Sequence, residues 1–332
     1  MSDEPFKFDK KVRLIELFAG IGSQAKSLER LGVDFEHYKV VEFDKYAIKS
    51  YNAIHGTDFE TSDITKISAA DLQIVDTDSF TYLLTYSFPC QDLSVAGKQK
   101  GMEKGSGTRS GLLWEVERLL DECTELPQVL LMENVPQVHG KKNIDDFNAW
   151  ISFLESKGYS NFWQDLNAKD YGIPQNRNRT FMVSFLGNYS YIFPEKQKLD
   201  IRLIHLLERE VAEKYYFKEW IKIKGHSYNY DDARCIQIGE LDIKAMDCVK
   251  RVYDSIGLSP TLTNMQGGHR QPKILDLLRI RKLTPLECWR LMGFDDQDYY
   301  KAAEFNSNTQ LYKQAGNSIV VNVLEAIFKQ MI

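Results

Sequence analysis

The sequence predicts an α/β fold, a mostly parallel sheet with helices on both faces, joined to a second and smaller domain. Three observations carry this expectation. Between Val12 and Leu186, short apolar runs alternate with helical patterns, the signature of βαβ units. The first run enters a glycine-rich turn, Gly20-Ile-Gly22, of the kind that opens a helix above a ligand. Beyond Gly187 the alternation gives way to Tyr-, Lys- and Asp-rich sequence without a clear period until about Leu283. The expected division is a larger domain over 1–187, completed by 311–332, with the smaller domain over 188–310.

Element by element, the predicted strands are Val12 to Phe18, Tyr38 to Phe43, Phe80 to Tyr86, Val129 to Glu133 and Phe181 to Leu186. Leu112, Val116, Leu119, Leu120 and Cys123 recur at helical spacing, as do Ile144, Phe147, Ile151 and Leu154. At the far end Val320, Val323, Leu324, Ile327 and Phe328 form a one-sided stripe that needs a core to cover, and the sheet of the first half is the nearest one.

Composition excludes several classes. The chain has 332 residues, enough for about two domains, and its 43% apolar and 27% charged content is ordinary for a globular protein. No apolar run approaches the roughly 18 residues of a membrane span, and the start, MSDEPFKFDKKVR, lacks a secretory apolar stretch. The cytosol is the expected address. Five cysteines (Cys90, Cys123, Cys235, Cys248 and Cys288) are widely spaced and odd in number, favouring neither a disulfide framework nor a zinc or other metal site. A reduced thiol is nevertheless available as a nucleophile. The net charge of −5 is uninformative, but Arg270 to Arg290 holds six Lys or Arg against two acids. Ala96 to Arg109 holds four against one.

Chemistry concentrates where predicted strands end. Gly20 and Gly22 let the backbone approach a ligand, and Glu42 follows 20 residues after Gly22, the spacing of a dinucleotide turn with its ribose-binding acid. This leaves a nicotinamide cofactor and other adenosine-bearing cofactors both open. Asp63 could accept from an adenine amino group or simply cap a helix. Tyr86-Ser-Phe-Pro-Cys-Gln-Asp-Leu-Ser94 puts Cys90 just after a strand, followed by a Gly- and Lys-rich segment with Lys98, Lys100, Lys104 and Arg109 that could close over a phosphate-bearing substrate. Glu133 closes another apolar strand, where burial is expensive without a partner. Arg177 and Arg179 alternate before the last strand, and one of them could hold that carboxylate bidentately.

In this order the motifs Phe-x-Gly-x-Gly, Phe-Pro-Cys-Gln, Glu-Asn-Val and Gln-x-Arg-x-Arg resemble the DNA (cytosine-5) methyltransferase family of bacterial restriction-modification systems. Arg281-Lys-Leu-Thr-Pro-Leu-Glu287, Leu291-Met-Gly-Phe294 and Gln314-Ala-Gly-Asn-Ser-Ile-Val320 extend the resemblance, which leaves out only about 187–273. It implies a Rossmann-like methyltransferase domain that uses S-adenosylmethionine. Phe18, Ala19, Gly20, Ile21 and Gly22 would pack against that cofactor, Glu42 would hold its ribose, Phe43 would cover its adenine, and Asp63 with Ile64 would read the adenine edge. Pro89, Asn317, Ser318 and Val320 would complete the pocket.

The family mechanism maps onto Cys90 adding to cytosine carbon 6, protonated Glu133 holding ring nitrogen 3 and the exocyclic amine, and Arg179, with Arg177 as neighbour, orienting Glu133 and the carbonyl oxygen. Such chemistry needs the base swung out of duplex DNA. Gln91, Ser94, Lys98, Lys100 and Arg109 would touch DNA from the catalytic side. Thr261, Thr263, Asn264, Gln266 and Arg270 would do so from a target-recognition domain. The implied partners are double-stranded DNA and, where one exists, a separately acting restriction endonuclease; the expected enzyme is a cytoplasmic monomer, nucleoid-associated, in a bacterium or phage. An RNA-directed relative is the nearest rival, against which stands Phe88 before Pro89 where that branch usually has a second proline. A catalytically dead DNA-binding protein and a nicotinamide oxidoreductase are weaker alternatives.

Overall fold

In the computed structural model, residues 4–89, 93, 101–105, 107–218, 234–267 and 269–332 are described, together with the backbone of 221–223. Six strands build the main sheet: β1 (Val12–Leu17), β2 (Phe35–Val41), β3 (Thr81–Tyr86), β4 (Val129–Asn134), β5 (Tyr159–Asn167) and β6 (Asn178–Leu186). Their order is β2-β1-β3-β4-β6-β5. The first four are parallel, and β6 runs antiparallel to both neighbours. All five expected strands match within three residues at each end. The strand expected over Tyr38 to Phe43 sits earlier, so that Glu42 and Phe43 fall just past its end. β5 was not foreseen, because YSNFWQDLN is a largely half-exposed edge strand without a clean apolar alternation.

Each face of the sheet buries its own core. On one face, Val12, Leu14, Leu83, Val129, Leu131, Phe181, Val183 and Phe185 pack with α1 (Ser23–Leu31) and the C-terminal helices. On the other, Ile15, Leu17, Leu84, Leu130, Met132 and Met182 pack with α3 (Leu113–Glu122) and α4 (Ile144–Ser156). Between them in sequence lies α2 (Lys45–His55), whose first turn is capped by Asp44 accepting from the Tyr46 N–H at 2.9 Å. The helices α5 (Pro285–Arg290), α6 (Asp296–Ala303), α7 (Asn308–Asn317) and α8 (Val321–Phe328) complete the first core. All five stripe residues of the last helix are buried there, each worth about 1.5–3 kcal/mol.

The packing places one expected boundary differently. Residues 283–310 were assigned by sequence to the smaller domain, yet Leu283, Cys288, Trp289, Leu291, Met292, Phe294 and Ala302 lie in the main core. The reason is that α5 and α6 are short helices with apolar faces and no sheet of their own to cover, so they dock on α2 and α7. The smaller sheet is β7 (Ile221–Ile223), β8 (Gln237–Leu241), β9 (Arg251–Tyr253), β10 (Lys273–Asp276) and β11 (Arg279–Lys282) in chain order, with only the β9–β10 pair parallel. It has a small core of Ile238, Leu241, Val252 and Ile280.

Candidate active site

The sheet topology gathers the chemistry along one edge. The carboxyl ends of β2, β1, β3 and β4 and the amino end of β6 are consecutive, so five strands bring Glu42, Gly20, Phe88, Glu133 and Arg179 within a span of about 19 Å at ~4.8 Å per strand. This edge is the expected ligand position of an open α/β sheet.

At its left end the glycine turn is tightly specified. Phe18, Gly20 and Gly22 all have positive φ. A Cβ on Gly22 would stand 2.2 Å from His55 Nε2, while one on Gly20 would meet nothing within 4 Å. Only glycine fits at position 22, and position 20 faces open space. Glu42 accepts from the Gly20 N–H through Oε2 at 2.9 Å and from the Asp44 N–H through Oε1 at 2.8 Å. Burial pushes its carboxyl pKa up against those two donors. Each oxygen retains a second lone pair for a ribose hydroxyl.

The Asp63 loop joins the same end, because the Ser62 N–H donates to the Glu42 carbonyl at 2.9 Å. Asp63 itself accepts from the Thr65 N–H and hydroxyl, at 3.0 and 2.8 Å, so it shapes its own turn. Ile64 is buried, and Phe43 is 78% exposed, an aromatic face with nothing packed over it. Ala19, Ile21, Ser318 and Val320 are buried, Pro89 is half-buried and Asn317 exposed. Thr85 Oγ1, Ser87 Oγ and Ser318 Oγ are buried without a hydrogen-bond partner among the described residues. Open backbone, an uncovered aromatic ring and unused hydroxyls together fit an adenosine-bearing cofactor.

Beneath the turn lies a polar row that sequence inspection overlooked. Glu16 accepts from the Tyr51 hydroxyl at 2.5 Å, and that hydroxyl meets His37 Nδ1 at 2.8 Å. Burial pushes the Glu16 carboxyl up to about 7. Its signal was present, since an acid at an inward position of an apolar strand needs a partner.

Glu133 and Arg179 meet across the β4–β6 ladder. Glu133 continues the inward row of Val129 and Leu131, and Arg179 that of Phe181 and Val183, so period-2 alternation turns both to one face. Arg179 Nε lies 3.2 Å from Glu133 Oε1. The contact is through a single nitrogen, not the bidentate fork that the sequence suggested, because Arg179 Nη1 donates to the Asn178 carbonyl at 2.7 Å. Burial pushes the Glu133 carboxyl up, and the charges of Arg179 and Arg177 pull it partly back.

Arg177 turns its guanidinium nitrogens to backbone carbonyls. Its Nη1 donates to the Leu262 carbonyl at 2.8 Å, and its Nη2 to those of Gly316 and Ser318 at 3.2 and 2.8 Å. It lies at the break between a two-residue strand, Gln175–Asn176, and β6, where alternation no longer dictates direction, and it ties three chain segments together. Gln175 assists, accepting from the Leu262 N–H at 3.0 Å and donating to the Leu291 carbonyl at 2.8 Å.

Cys90, Gln91, Ser94, Lys98 and Lys100 lie outside the described residues. The segment leading to Cys90 is held by two residues that the sequence did not single out for this role: Asn134 Nδ2 donates to the Phe88 carbonyl at 3.0 Å, and Ser110 Oγ to that of Pro89 at 2.7 Å. Asn134 was legible as a strand-ending polar residue beside Glu133; Ser110 carried no signal. Lys104 pairs with Glu117 at 2.6 Å, and Arg109 is exposed. In the Thr261 segment, Thr261 Oγ1 donates to the Asn176 carbonyl at 2.5 Å, Thr263, Gln266 and Arg270 are exposed, and Asn264 is half-buried.

Comparison with known proteins agrees with this geometry. The family model described as C-5 cytosine-specific DNA methylase matches residues 12–332. The chain is 35% identical to the type II methyltransferase M2.ScrFI of Lactococcus lactis subsp. cremoris, over 96% of this chain and 99% of that protein. It is also 35% identical to the orphan methyltransferase M.SssI of Spiroplasma monobiae, with 97% of each covered. Among solved structures, the Entamoeba histolytica methyltransferase EhMeth superposes with a TM-score of 0.76 at 18% identity, covering 97% of this chain and 98% of that one.

Proposed function

Since the chain belongs to the C-5 cytosine-specific DNA methylase family, we propose that it methylates carbon 5 of a cytosine extruded from duplex DNA through a covalent bond to Cys90. The observation that carries this reading is Glu133: a buried carboxyl with raised pKa, paired on one side with Arg179, at the sheet edge beside the segment that leads to Cys90.

Carbon 5 of cytosine is a weak nucleophile, and addition of a thiolate to carbon 6 turns it into an enamine carbon. Cys90 supplies that thiolate, and once carbon 5 carries the methyl group, loss of the carbon 5 proton to a base expels Cys90 from carbon 6 by elimination. Glu133, its carboxyl pKa raised by burial, donates in its protonated form to ring nitrogen 3 and accepts from the exocyclic amine, so negative charge is neutralised as the adduct forms. Arg179 fixes Glu133 and the cytosine carbonyl oxygen. Arg177 acts as a positioning residue, because its three carbonyl contacts hold the ends of the pocket together.

S-adenosylmethionine supplies the electrophilic methyl group, with Glu42 placed to hold the ribose, Phe43 to cover the adenine, and Asp63, Ile64, the Phe18 to Gly22 turn, Pro89, Asn317, Ser318 and Val320 to line the site. Gln91, Ser94, Lys98, Lys100 and Arg109 contact the duplex from one side, and Thr261, Thr263, Asn264, Gln266 and Arg270 from the other. The 188–280 region then serves as target-recognition domain. The enzyme works as a cytoplasmic monomer, and any cognate endonuclease is a separate protein.

Incubating the protein with S-adenosylmethionine and either duplex DNA or tRNA, then quantifying 5-methylcytosine, tests the reading. Methylation of DNA and not tRNA is expected, together with a denaturation-resistant complex on 5-fluorocytosine DNA. The Cys90→Ala protein should lose both while still binding cofactor. Substantial turnover by that variant, or methylation confined to tRNA, would overturn the assignment.

A further inference from the structure

The excess of positive charge between Arg270 and Arg290 separates in the structure into two kinds of cation. The arginines with acid partners are neutralised: Arg279 meets Glu213 through two nitrogens at 2.7 Å, Arg281 meets Asp276 and Glu287, and Arg290 meets Asp296. The lysines are not. Lys273 and Lys282 stand directly opposite each other in the β10–β11 ladder, an arrangement that costs stability. Lys273 is buried and spends its ammonium on the carbonyls of His269 and Gln271. Lys282 lies with its Nζ 5.6 Å from the centre of the Tyr215 ring, and Lys214 Nζ is 5.2 Å from the same ring. Among the described residues neither Lys214 nor Lys282 has an ion-pair partner. Burial and the charge of Lys214 pull the Lys282 ammonium below its ordinary range.

These cations face a cleft of about 420 Å³, lined also by Tyr215, His269, Gln271 and Asn308. Asn308 fixes the Tyr215 hydroxyl, donating to it at 2.8 Å, so the aromatic floor is rigid. Asn308 begins α7, and Gly316 near its end is where Arg177 ties down the active-site edge. That separation is about 12 Å along a helix axis.

We propose that this cleft takes a backbone phosphate of the bound DNA, gripped by the ammonium groups of Lys214 and Lys282. The proposal rests on the reading of the chain as a DNA methyltransferase. The chemistry matches the ligand: two point charges over an aromatic ring, amide donors on the walls, and no carboxylate among the lining residues to repel an anion. A duplex phosphate would relieve the repulsion that the empty pairing of Lys282 with Lys273 and Lys214 creates.

Equilibrium binding of the full chain to random-sequence duplex DNA across a salt series tests this, using Lys214→Ala, Lys282→Ala, the double variant, Lys282→Arg, and Lys329→Ala as a control away from the cleft. Each alanine should lower the magnitude of the log K against log salt slope by about 0.9, and the double variant by about 1.8, with Lys282→Arg and Lys329→Ala near wild type. Thermal stability of Lys282→Ala should stay level or rise, which a merely structural lysine would not show.

A double variant with the wild-type slope overturns the proposal, as does an equal change in Lys329→Ala. Titration with tripolyphosphate alone separates the sources: stoichiometric binding that DNA fails to displace also overturns it. A wild-type protein that methylates DNA but ignores the lysines refutes only this proposal. A protein that makes no 5-methylcytosine yet loses its slope refutes the enzymatic reading and supports the phosphate site.

Discussion

Two buried carboxylates among the described residues face an arginine, and they are held in different ways. Glu287 on α5 meets Arg281 through both oxygens at 2.8 Å and also accepts from the N–H groups of Thr284 and Glu208, at 2.8 and 2.9 Å. Arg281 spends its remaining Nε on Asp276 at 2.6 Å. This saturated cluster welds the end of the small sheet to the main core. Glu133 has a single contact of this kind among the described residues, the Arg179 Nε at 3.2 Å. A carboxyl used as a tie is filled with donors; one that must exchange a proton with a ligand is buried with room left for that ligand.

Substitution of each acid should expose the contrast. Glu133→Gln preserves shape and one donor but removes the proton that nitrogen 3 requires, so kcat should fall by roughly 10²–10⁴ while urea unfolding changes little. Glu287→Gln strands Arg281 in the core without its full counter-charge. Unfolding free energy should drop by about 3–5 kcal/mol, with turnover per folded molecule near wild type. If the two variants unfold equally easily, the distinction between tie and proton donor disappears.

Glu16 offers the finest adjustment, since it is buried like Glu287 but pushed from 4.5 up to about 7, as burial outweighs the Tyr51 hydrogen bond. The native protein therefore holds this proton more tightly than the unfolded chain does. Its stabilising share is full below about 4.5 and is lost as the pH rises through about 7. Relative to wild type, Glu16→Gln should gain stability between pH 4.5 and 8.5, by up to about 3 kcal/mol. Melting curves of the cofactor-free proteins at those two pH values check this; an unchanged difference would mean that Glu16 titrates in the native protein as it does in the unfolded chain.

Much of the sheet was legible because four of its strands are apolar runs with turn residues after them, and a central parallel strand can hardly be anything else. The edge strand β5 was not legible, since half of its surface faces solvent and its polar residues break the pattern. Within the site, Gly20, Glu42, Glu133 and Arg179 could be read from local rules: a turn, an acid at the right spacing, a charge at a strand end, an arginine in phase with it. Arg177 could not. Its partners, Leu262, Gly316 and Ser318, lie 85 to 141 residues away, and nothing around Arg177 announces them.

The amino-acid order by itself determined the parallel strands, the glycine turn and the chemical identities at the strand ends, since these follow from periodicity and local backbone preference. Only tertiary packing decided which arginine meets Glu133, where residues 283–310 belong, and which lysines were left without an acid. Those outcomes depend on contacts between distant segments competing for the same buried donors and acceptors, and that competition is resolved only when the whole chain is folded.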